Sequence, residues 1–568
     1  MSAGENKYTG KKAFVLILAI WLVINLLQAI FTGMSSDESY YSLWGKNLAW
    51  GYFDHPPMIA FFTLVSSIFF DGGLGVRFMT VLAQIGTLLI VWKLIDDKNA
   101  GKRDVQTFFI VASSLIMFAA LGFTTTPDSP LLFFVALFLL SYKRFLNEES
   151  TVNIILLSLS MAGMVYSKYQ SSLVIGLILI SNLNLLLKPK FWLAGIMSLT
   201  LLFPHFYWQY ENNFPSFQYH LVDRSNQFQL KYFLEYFPNQ IAVFNPFTLG
   251  LVLYIIFKNR FKDIFEKGLY FLIVGFIIFF WFTAYRGHVE PHWTVACSLP
   301  MIILVYERAK SSETIRKFIF TYVLGSLIII FIARIALFIP PMAVKFSYSE
   351  KDRFEAIESI AGELPVVFNG SFQAPSLYTY FTENKSTTIS SIYNRRTQFD
   401  VWQFEREFEG KSVFICAQID GLSKNYTVKG EKFDGFIVDN FHSALRLNVD
   451  FKPLTETAIK AGDTIRTSFS IYNPYPFTIE FNNDEFPLKL CACFATRKFK
   501  SINSVVSSRQ IVSIKSLEKI NGELYTIVPV IPEGEYAFSI NIESIFGPSI
   551  ERGLTNAKNK TIRIQKND

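Results

Sequence analysis

Up to about residue 340, apolar runs of roughly 17–22 residues recur along the chain, parted by short polar segments. They fall near 13–33, 74–95, 105–123, 130–142, 152–167, 170–187, 191–208, 240–257, 268–284, 291–306 and 318–339. This pattern predicts a polytopic α-helical membrane protein with about eleven spans. The first run is apolar over 13–31 apart from Asn25 and Gln28. It follows Lys7, Lys11 and Lys12, as a signal peptide would. At roughly 19 residues, however, it exceeds the usual apolar region of such a peptide, and no A-x-A-like site follows. It predicts a retained helix. The run Met58–Phe70, about 13 residues, is too short to cross untilted and predicts a helix lying at the interface.

Past residue 340 the pattern changes. Pro340-Pro341 closes the last run. Residues 350–430 mix helical and strand patterns, with Val366-Val367-Phe368 and Ser412–Cys416 as strand candidates. Farther on, Thr464–Tyr472 alternates apolar with polar positions after Ala461-Gly462-Asp463 and stops at Asn473-Pro474. Tyr536–Ile542 follows the turn Pro532-Glu533-Gly534-Glu535. Short strands so spaced predict a small antiparallel β-sandwich. The expected organisation is a transmembrane domain over 1–340, a mixed α/β region over 341–435 and a β-sandwich over 436–568.

Composition agrees. Of 568 residues, 51% are hydrophobic and only 17% charged, against about 25% charged in a soluble domain. The 59 Phe and 26 Tyr suit lipid-facing and interfacial surface. The net charge of +7 does not point to nucleic acid, because the Lys and Arg are dispersed among the spans. Cys491 and Cys493 lack zinc or redox spacing and fit alternate positions on a strand; with Cys297 and Cys416 they predict no structural disulfide.

Charge also gives an orientation. Lys93, Lys98, Lys102 and Arg103; Lys143 and Arg144; Lys188 and Lys190; Lys258, Arg260, Lys262 and Lys267; and Arg308, Lys310, Arg316 and Lys317 gather in alternate loops. Those loops are assigned to the cytoplasm. The remaining loops are then extracytoplasmic, and an odd number of spans puts the C-terminal region there too. All six His lie in or beside these outer segments.

The outer loops hold the candidate chemistry. The first carries Asp37-Glu38-Ser39-Tyr40-Tyr41, Trp44 and Gly51-Tyr52-Phe53-Asp54-His55-Pro56-Pro57. Carboxylates at a membrane boundary suggest a site, since the bilayer penalises charge. A single carboxylate at Asp37 suffices as general base for an acceptor hydroxyl attacking a sugar's anomeric carbon; a helix cap or solvated loop end is its other reading. Glu38 also reads as a first-turn helix acid. Asp128, in Thr126-Pro127-Asp128-Ser129-Pro130, reads as a helix cap or as a group orienting hydroxyls. A departing lipid phosphate needs cations rather than an acid, and His55, Lys168, Arg286 and His288 are candidates. In Gly287-His288-Val289-Glu290-Pro291-His292-Trp293 the spacing is not that of a zinc hydrolase, and Pro291 disfavours one continuous helical face. Contacts from Glu290, His292 and Trp293 to sugar or phosphate are preferred, and a divalent metal stays open. There is no phosphate loop, no Asp-x-Asp pair and no G-x-S-x-G elbow.

These loops resemble bacterial glycosyltransferases related to protein O-mannosyltransferases, in the GT-C superfamily that also holds the lipid A aminoarabinose transferases. The resemblance rests on the first-loop residues quoted above, with Thr126-Pro127-Asp128, Ser167-Lys168-Tyr169 and Glu290-Pro291-His292-Trp293 in similar order. It implies a multi-pass enzyme of the bacterial inner membrane. Such an enzyme moves a sugar from a polyprenyl phosphate, with inversion, to a glycan, lipid or protein acceptor on the extracytoplasmic side. It implies Asp37 as the catalytic acid residue, Glu38 as its assistant and Asp128 as a lining residue. Where the aminoarabinose enzymes have a Lys before Pro-Pro, this chain has His55, a weaker anion partner when neutral, which shifts the load toward Lys168 and Arg286. A fainter likeness covers Ser371-Phe372 to Asp400, where Arg395 or Arg396 reads as a phosphate contact or as surface. Two rival readings are a transporter or flippase for lipid-linked sugar and a noncatalytic anchor displaying the sandwich.

Overall fold

A computed structural model describes residues 3–220, 229–339, 342, 348–349, 351–452, 454, 458–496, 502–507, 510–549 and 560–565. The Pro340-Pro341 stop lies outside the described residues. The chain forms two compact units, Met1–Glu350 and Lys351–Asp568.

The first unit is helical. It opens with α1 (Ala3–Phe31), α2 (Ser36–Lys46), α3 (Met58–Phe69), α4 (Gly72–Ile95), α5 (Lys102–Ser114), α6 (Ile116–Ala120), α7 (Asp128–Asn147), α8 (Thr151–Ser167), α9 (Ser172–Ser181) and α10 (Pro189–Glu211). Among the described residues, six helices are long and apolar enough to cross a membrane: Thr9–Phe31 of α1, α4, α7, α10, Ile264–Arg286 and Glu313–Ala336. Leu230–Phe244 and Pro246–Lys258, bent by 102°, make a seventh if counted as one span. The expected eleven is therefore not reached by length and composition. The reason is helical continuity, which a count of apolar residues does not sense. The run at 105–123 divides into α5 and α6 at Leu115, which is extended, and the run at 291–306 opens as a 3-10 turn over Pro291–Cys297. At the sharp bend Asn245 adopts a positive φ of 67° and accepts the Phe247 amide at 3.0 Å. The helix expected after Pro-Pro is α3, twelve residues long.

The polar exceptions of the first run face protein. Asn25 and Trp21 both donate to the Gln84 side-chain oxygen at 2.7 Å, and Arg334 donates to Asn25 at 2.7 Å. Apolar neighbours on the same helix, such as Leu16 and Val23, stay exposed, as a lipid-facing stripe requires.

The second unit opens with a five-stranded sheet. Val366–Asn369 lies between Ser386–Ile389 and Lys411–Cys416, parallel to both, and Glu431–Phe441 and Lys424–Val428 complete the antiparallel side. A strand-rich region follows. Thr464–Tyr472 pairs with Lys519–Ile527 and Asn448–Phe451, and Lys489–Thr496 pairs with Ile502–Val506 and Gly534–Ser544. One pairing departs from the antiparallel expectation, since Lys560–Gln565 runs parallel to Ala458–Lys460. Cys491 and Cys493 occupy alternate positions of one strand, with their sulfurs 3.8 Å apart, and all four cysteines are free thiols. Phe494 and Phe538 meet edge to face at 5.4 Å in a core with Ile540 and Leu524. Phe538→Ala is expected to cost about 3–5 kcal/mol of this unit's stability, read by its unfolding transition. Burial pushes the Cys416 thiol up to about 12. Since the thiolate is the nucleophile, Cys416 is expected to resist iodoacetamide at pH 8 in the folded chain and to react once denatured, as peptide mass mapping would read.

Candidate functional site

Ser35 caps α2. Its hydroxyl accepts the Glu38 amide at 3.3 Å, and the Glu38 carboxylate accepts the Ser35 amide and hydroxyl at 3.4 and 3.0 Å. This reciprocal cap satisfies two helix-end donors and sets both acids in the first turn, where the helix dipole favours negative charge. Asp37 is thus the second helical residue, with Ser35 as the cap, and its side chain is exposed.

Glu38 points the other way and is fully buried. Arg77 on α4, also fully buried, donates to it twice, at 2.7 and 2.6 Å. The guanidinium also reaches the carbonyls of Ala29, Thr32 and Gly33 at 3.1, 2.8 and 2.6 Å. The Thr125 amide donates to Glu38 at 2.8 Å. Glu38 therefore clasps the loop of Asp37 to the loop of Asp128. Both of its carboxylate oxygens are so engaged. Arg77 escaped the reading of the loops, although a cation inside an apolar run is itself a signal.

Asp128 is the first residue of α7, and Pro127 holds the cap position. Its carboxylate turns to Lys168, whose ammonium donates to both oxygens at 2.8 and 2.7 Å, and the pair is only 2% exposed. Lys168 reaches it because α8 ends at Ser167 and the backbone at Lys168 is extended. His292 comes to within 3.6 Å of Asp128. Asp128, Lys168 and His292, from three separate loops, thus form one cluster.

The other candidates are placed differently. His288 and Glu290 face each other at 3.4 Å, and the His288 ring meets Tyr232. Arg286 ends its helix exposed, over the ring of Phe282. Trp293 packs on Phe280 against the apolar core. His55 is half-buried between the rings of Tyr41 and His220. Among the described residues no group of three or more His, Cys, Asp or Glu could hold a metal ion, so the metal left open by the sequence has no ligand set there.

A second buried network was likewise missed. His205 on α10 donates from Nδ1 to the Trp50 carbonyl at 2.7 Å, and its Nε2 meets the Tyr169 hydroxyl at 3.0 Å. Gln209 donates to Tyr169 and to Ser216, and Ser216 donates to the Tyr52 carbonyl at 2.7 Å. The hairpin of residues 50–54 is thereby fixed from behind. Its only sequence signal is a His and a Gln one turn apart within an apolar run.

Beside this machinery is an apolar cavity of about 790 Å³. Pro57, Phe61, Met79, Ala83, Phe133 and Tyr166 are among its walls. Those walls belong to the elements that carry the polar groups. Pro57 is two residues past His55, Phe133 is on the helix that Asp128 begins, and Tyr166 is two residues before Lys168.

Residues 54–208 match the family described as dolichyl-phosphate-mannose-protein mannosyltransferase. The match takes in His55, Asp128 and Lys168, while Asp37 and Glu38 precede it. Among solved structures the fold is similar to that of ArnT from Cupriavidus metallidurans in the apo state, at 15% identity and a TM-score of 0.54, over 74% of this chain and 97% of that one. It is also similar to ArnT from the same organism bound to undecaprenyl phosphate, at 14% identity and a TM-score of 0.52, again over 74% and 97%. No curated protein matches the chain. The resemblance read from the loops, to the superfamily of protein O-mannosyltransferases and aminoarabinose transferases, holds in both the family match and the fold.

Proposed function

We propose that this protein is an inverting glycosyltransferase that takes a sugar from a polyprenyl-phosphate donor and attaches it to an acceptor hydroxyl on the extracytoplasmic side of a bacterial inner membrane. The observation that carries the reading is the apolar cavity whose walls include Pro57, Phe133 and Tyr166, close in the chain to His55, Asp128 and Lys168, the last two paired in a cluster with His292. A prenyl chain needs such an apolar slot, and its phosphate needs cations at the slot's polar end. The positions of His55, Lys168 and His292 support that role, with Arg286 and His288 as further donors. Glu290 and Trp293 are assigned to the substrate-binding surround.

In the reaction, the acceptor oxygen forms a bond to the anomeric carbon as the bond from that carbon to the phosphate oxygen breaks. The acceptor proton passes to the Asp37 carboxylate. The bonding pair leaves with the phosphate, whose negative charge grows by one, and the nearby cations stabilise that growth. Asp128 keeps Lys168 oriented, and Glu38 with Arg77 positions Asp37.

The expected test is lipid binding. Ala83→Trp fills the cavity without touching an ionisable group. It is expected to weaken undecaprenyl phosphate binding by tenfold or more, about 1.4 kcal/mol, read by native mass spectrometry of the detergent-solubilised protein. Unchanged affinity would remove the cavity from the donor site. A transporter or flippase of lipid-linked sugar is the second reading, favoured only by the helix pair bent at Asn245, since broken helices mark transporter sites. Vesicles containing the protein and a fluorescent polyprenyl-phosphate sugar separate the two: flipping without sugar transfer would select the transporter.

A further inference from the structure

In the second unit a polar cleft opens at the carboxyl end of the strand Ser386–Ile389, which runs parallel to Val366–Asn369. Open α/β sheets bind ligands in the crevice at this end. The cleft is lined by Thr388 and Ser390 from the end of one strand. Arg396, Asp400 and Glu405 come from the following turns, and Arg446 from the segment entering the strand-rich region.

Three observations go beyond shape. First, buried polar groups there have unspent hydrogen-bonding capacity. Ser390, 2% exposed, has no partner for its hydroxyl, and Arg446, 9% exposed, has none for Nε or Nη1. Buried polar atoms left so are costly, and a ligand that supplied partners would recover that cost. Second, the charges balance. Arg446 pairs with Glu405 through Nη2, Asp400 accepts the Thr397 amide at 2.6 Å, and two guanidiniums stand against two carboxylates. A neutral ligand with alternating donors and acceptors fits this wall better than an ion of either sign. Third, the cleft is small, about 30 Å³, and open to solvent. It admits one edge of a molecule, with the remainder in the open mouth. Vicinal hydroxyls on a sugar ring have that size and that mixed hydrogen-bonding character.

We propose that this cleft, built from Thr388, Ser390, Arg396, Asp400, Glu405 and Arg446, is a saccharide-binding site that takes adjacent hydroxyls of a neutral glycan. The inference deepens the glycosyltransferase reading and rests on it for biological sense: the bound glycan would be an acceptor chain held by the second unit.

Saturation-transfer NMR on the full-length protein in detergent, with the methyl glycosides of glucose, galactose, mannose and N-acetylglucosamine as probes, tests it. At least one glycoside is expected to bind in the millimolar range. Ser390→Val, which fills the cleft, and Arg396→Gln, at a partly exposed position, are each expected to weaken it tenfold or more with the unfolding transition unchanged. Four results would overturn the proposal: no glycoside binds, as when ordered water alone fills the cleft; acetate or phosphate competes at lower concentration than any glycoside; binding is indifferent to both variants; or both variants fail to fold while Glu405→Gln, folded, binds as before. Asp37→Asn is run in parallel. If it binds the glycoside normally but transfers no sugar, site and catalysis stand separately. If glycoside binding holds while the unaltered protein transfers no sugar, only the enzymatic reading fails.

Discussion

Asp37→Asn is expected to abolish sugar transfer while leaving membrane insertion and folding intact. Asparagine preserves the size and polarity of the side chain but cannot accept the acceptor's proton. Loss of a general base removes a factor of about 10²–10⁴ from the rate. The position is exposed on the first turn of α2, and the cap that builds this turn uses Ser35 and Glu38. Fold stability should therefore change little. Helix N-termini favour negative charge by about 0.3–1 kcal/mol, so a slight fall in the melting transition is the most that is expected. The measurement is complementation of a deletion strain, followed by mass analysis of its glycans and envelope lipids. The unaltered gene should restore a sugar-sized mass that the variant does not. Restoration by the variant would end Asp37's role as base, whatever the fold resemblance.

The second large effect is structural. Arg77→Met leaves the Glu38 carboxylate buried without its cation and strips hydrogen bonds from the carbonyls of Ala29, Thr32 and Gly33. Removing one partner of a buried pair costs about 3–5 kcal/mol. A marked drop in the thermal transition of the solubilised protein is expected. Combining Arg77→Met with Glu38→Gln should recover part of it, because the uncompensated charge goes too. If the pair serves only to position Asp37, the double variant should fold better than the single one and still transfer sugar poorly. Activity near that of the unaltered protein would show that Asp37 needs no such support.

What could be read from the chain differs by region for physical reasons. The first loop announced itself because charge is rare at a membrane edge, and its acids did fall on a helix's first turn. The burial of Glu38 was not visible, since it depends on Arg77, which sits 39 residues away inside an apolar run. Lys168 and Asp128 were each singled out from their loops, but their pairing is set by where α8 stops. Apolar composition likewise does not reveal a break at Leu115 or a bend at Asn245. In the second unit, Thr464–Tyr472 was legible to the residue because alternation of buried and exposed positions is a local signal. The parallel partnership of Lys560–Gln565 with Ala458–Lys460 joins segments about a hundred residues apart in the chain and has no local signature.

Among the described residues of the helical unit, the ion pairs Glu38–Arg77 and Asp128–Lys168, each at most 2% exposed, share a property of chain distance. Glu38 and Arg77 are 39 residues apart, Asp128 and Lys168 40. Asp128 and Lys168 stand at the two ends of the hairpin α7–α8, and Glu38 and Arg77 stand on α2 and α4 with only α3 between them. In both cases the nascent chain meets the opposite charge within 39 or 40 residues, before the later helices are made. His292 arrives more than a hundred residues after Lys168. The two pairs are thus complete early in synthesis and the cluster of Asp128, Lys168 and His292 late, so a chain stalled before residue 291 is expected to integrate with both pairs formed and the cluster incomplete.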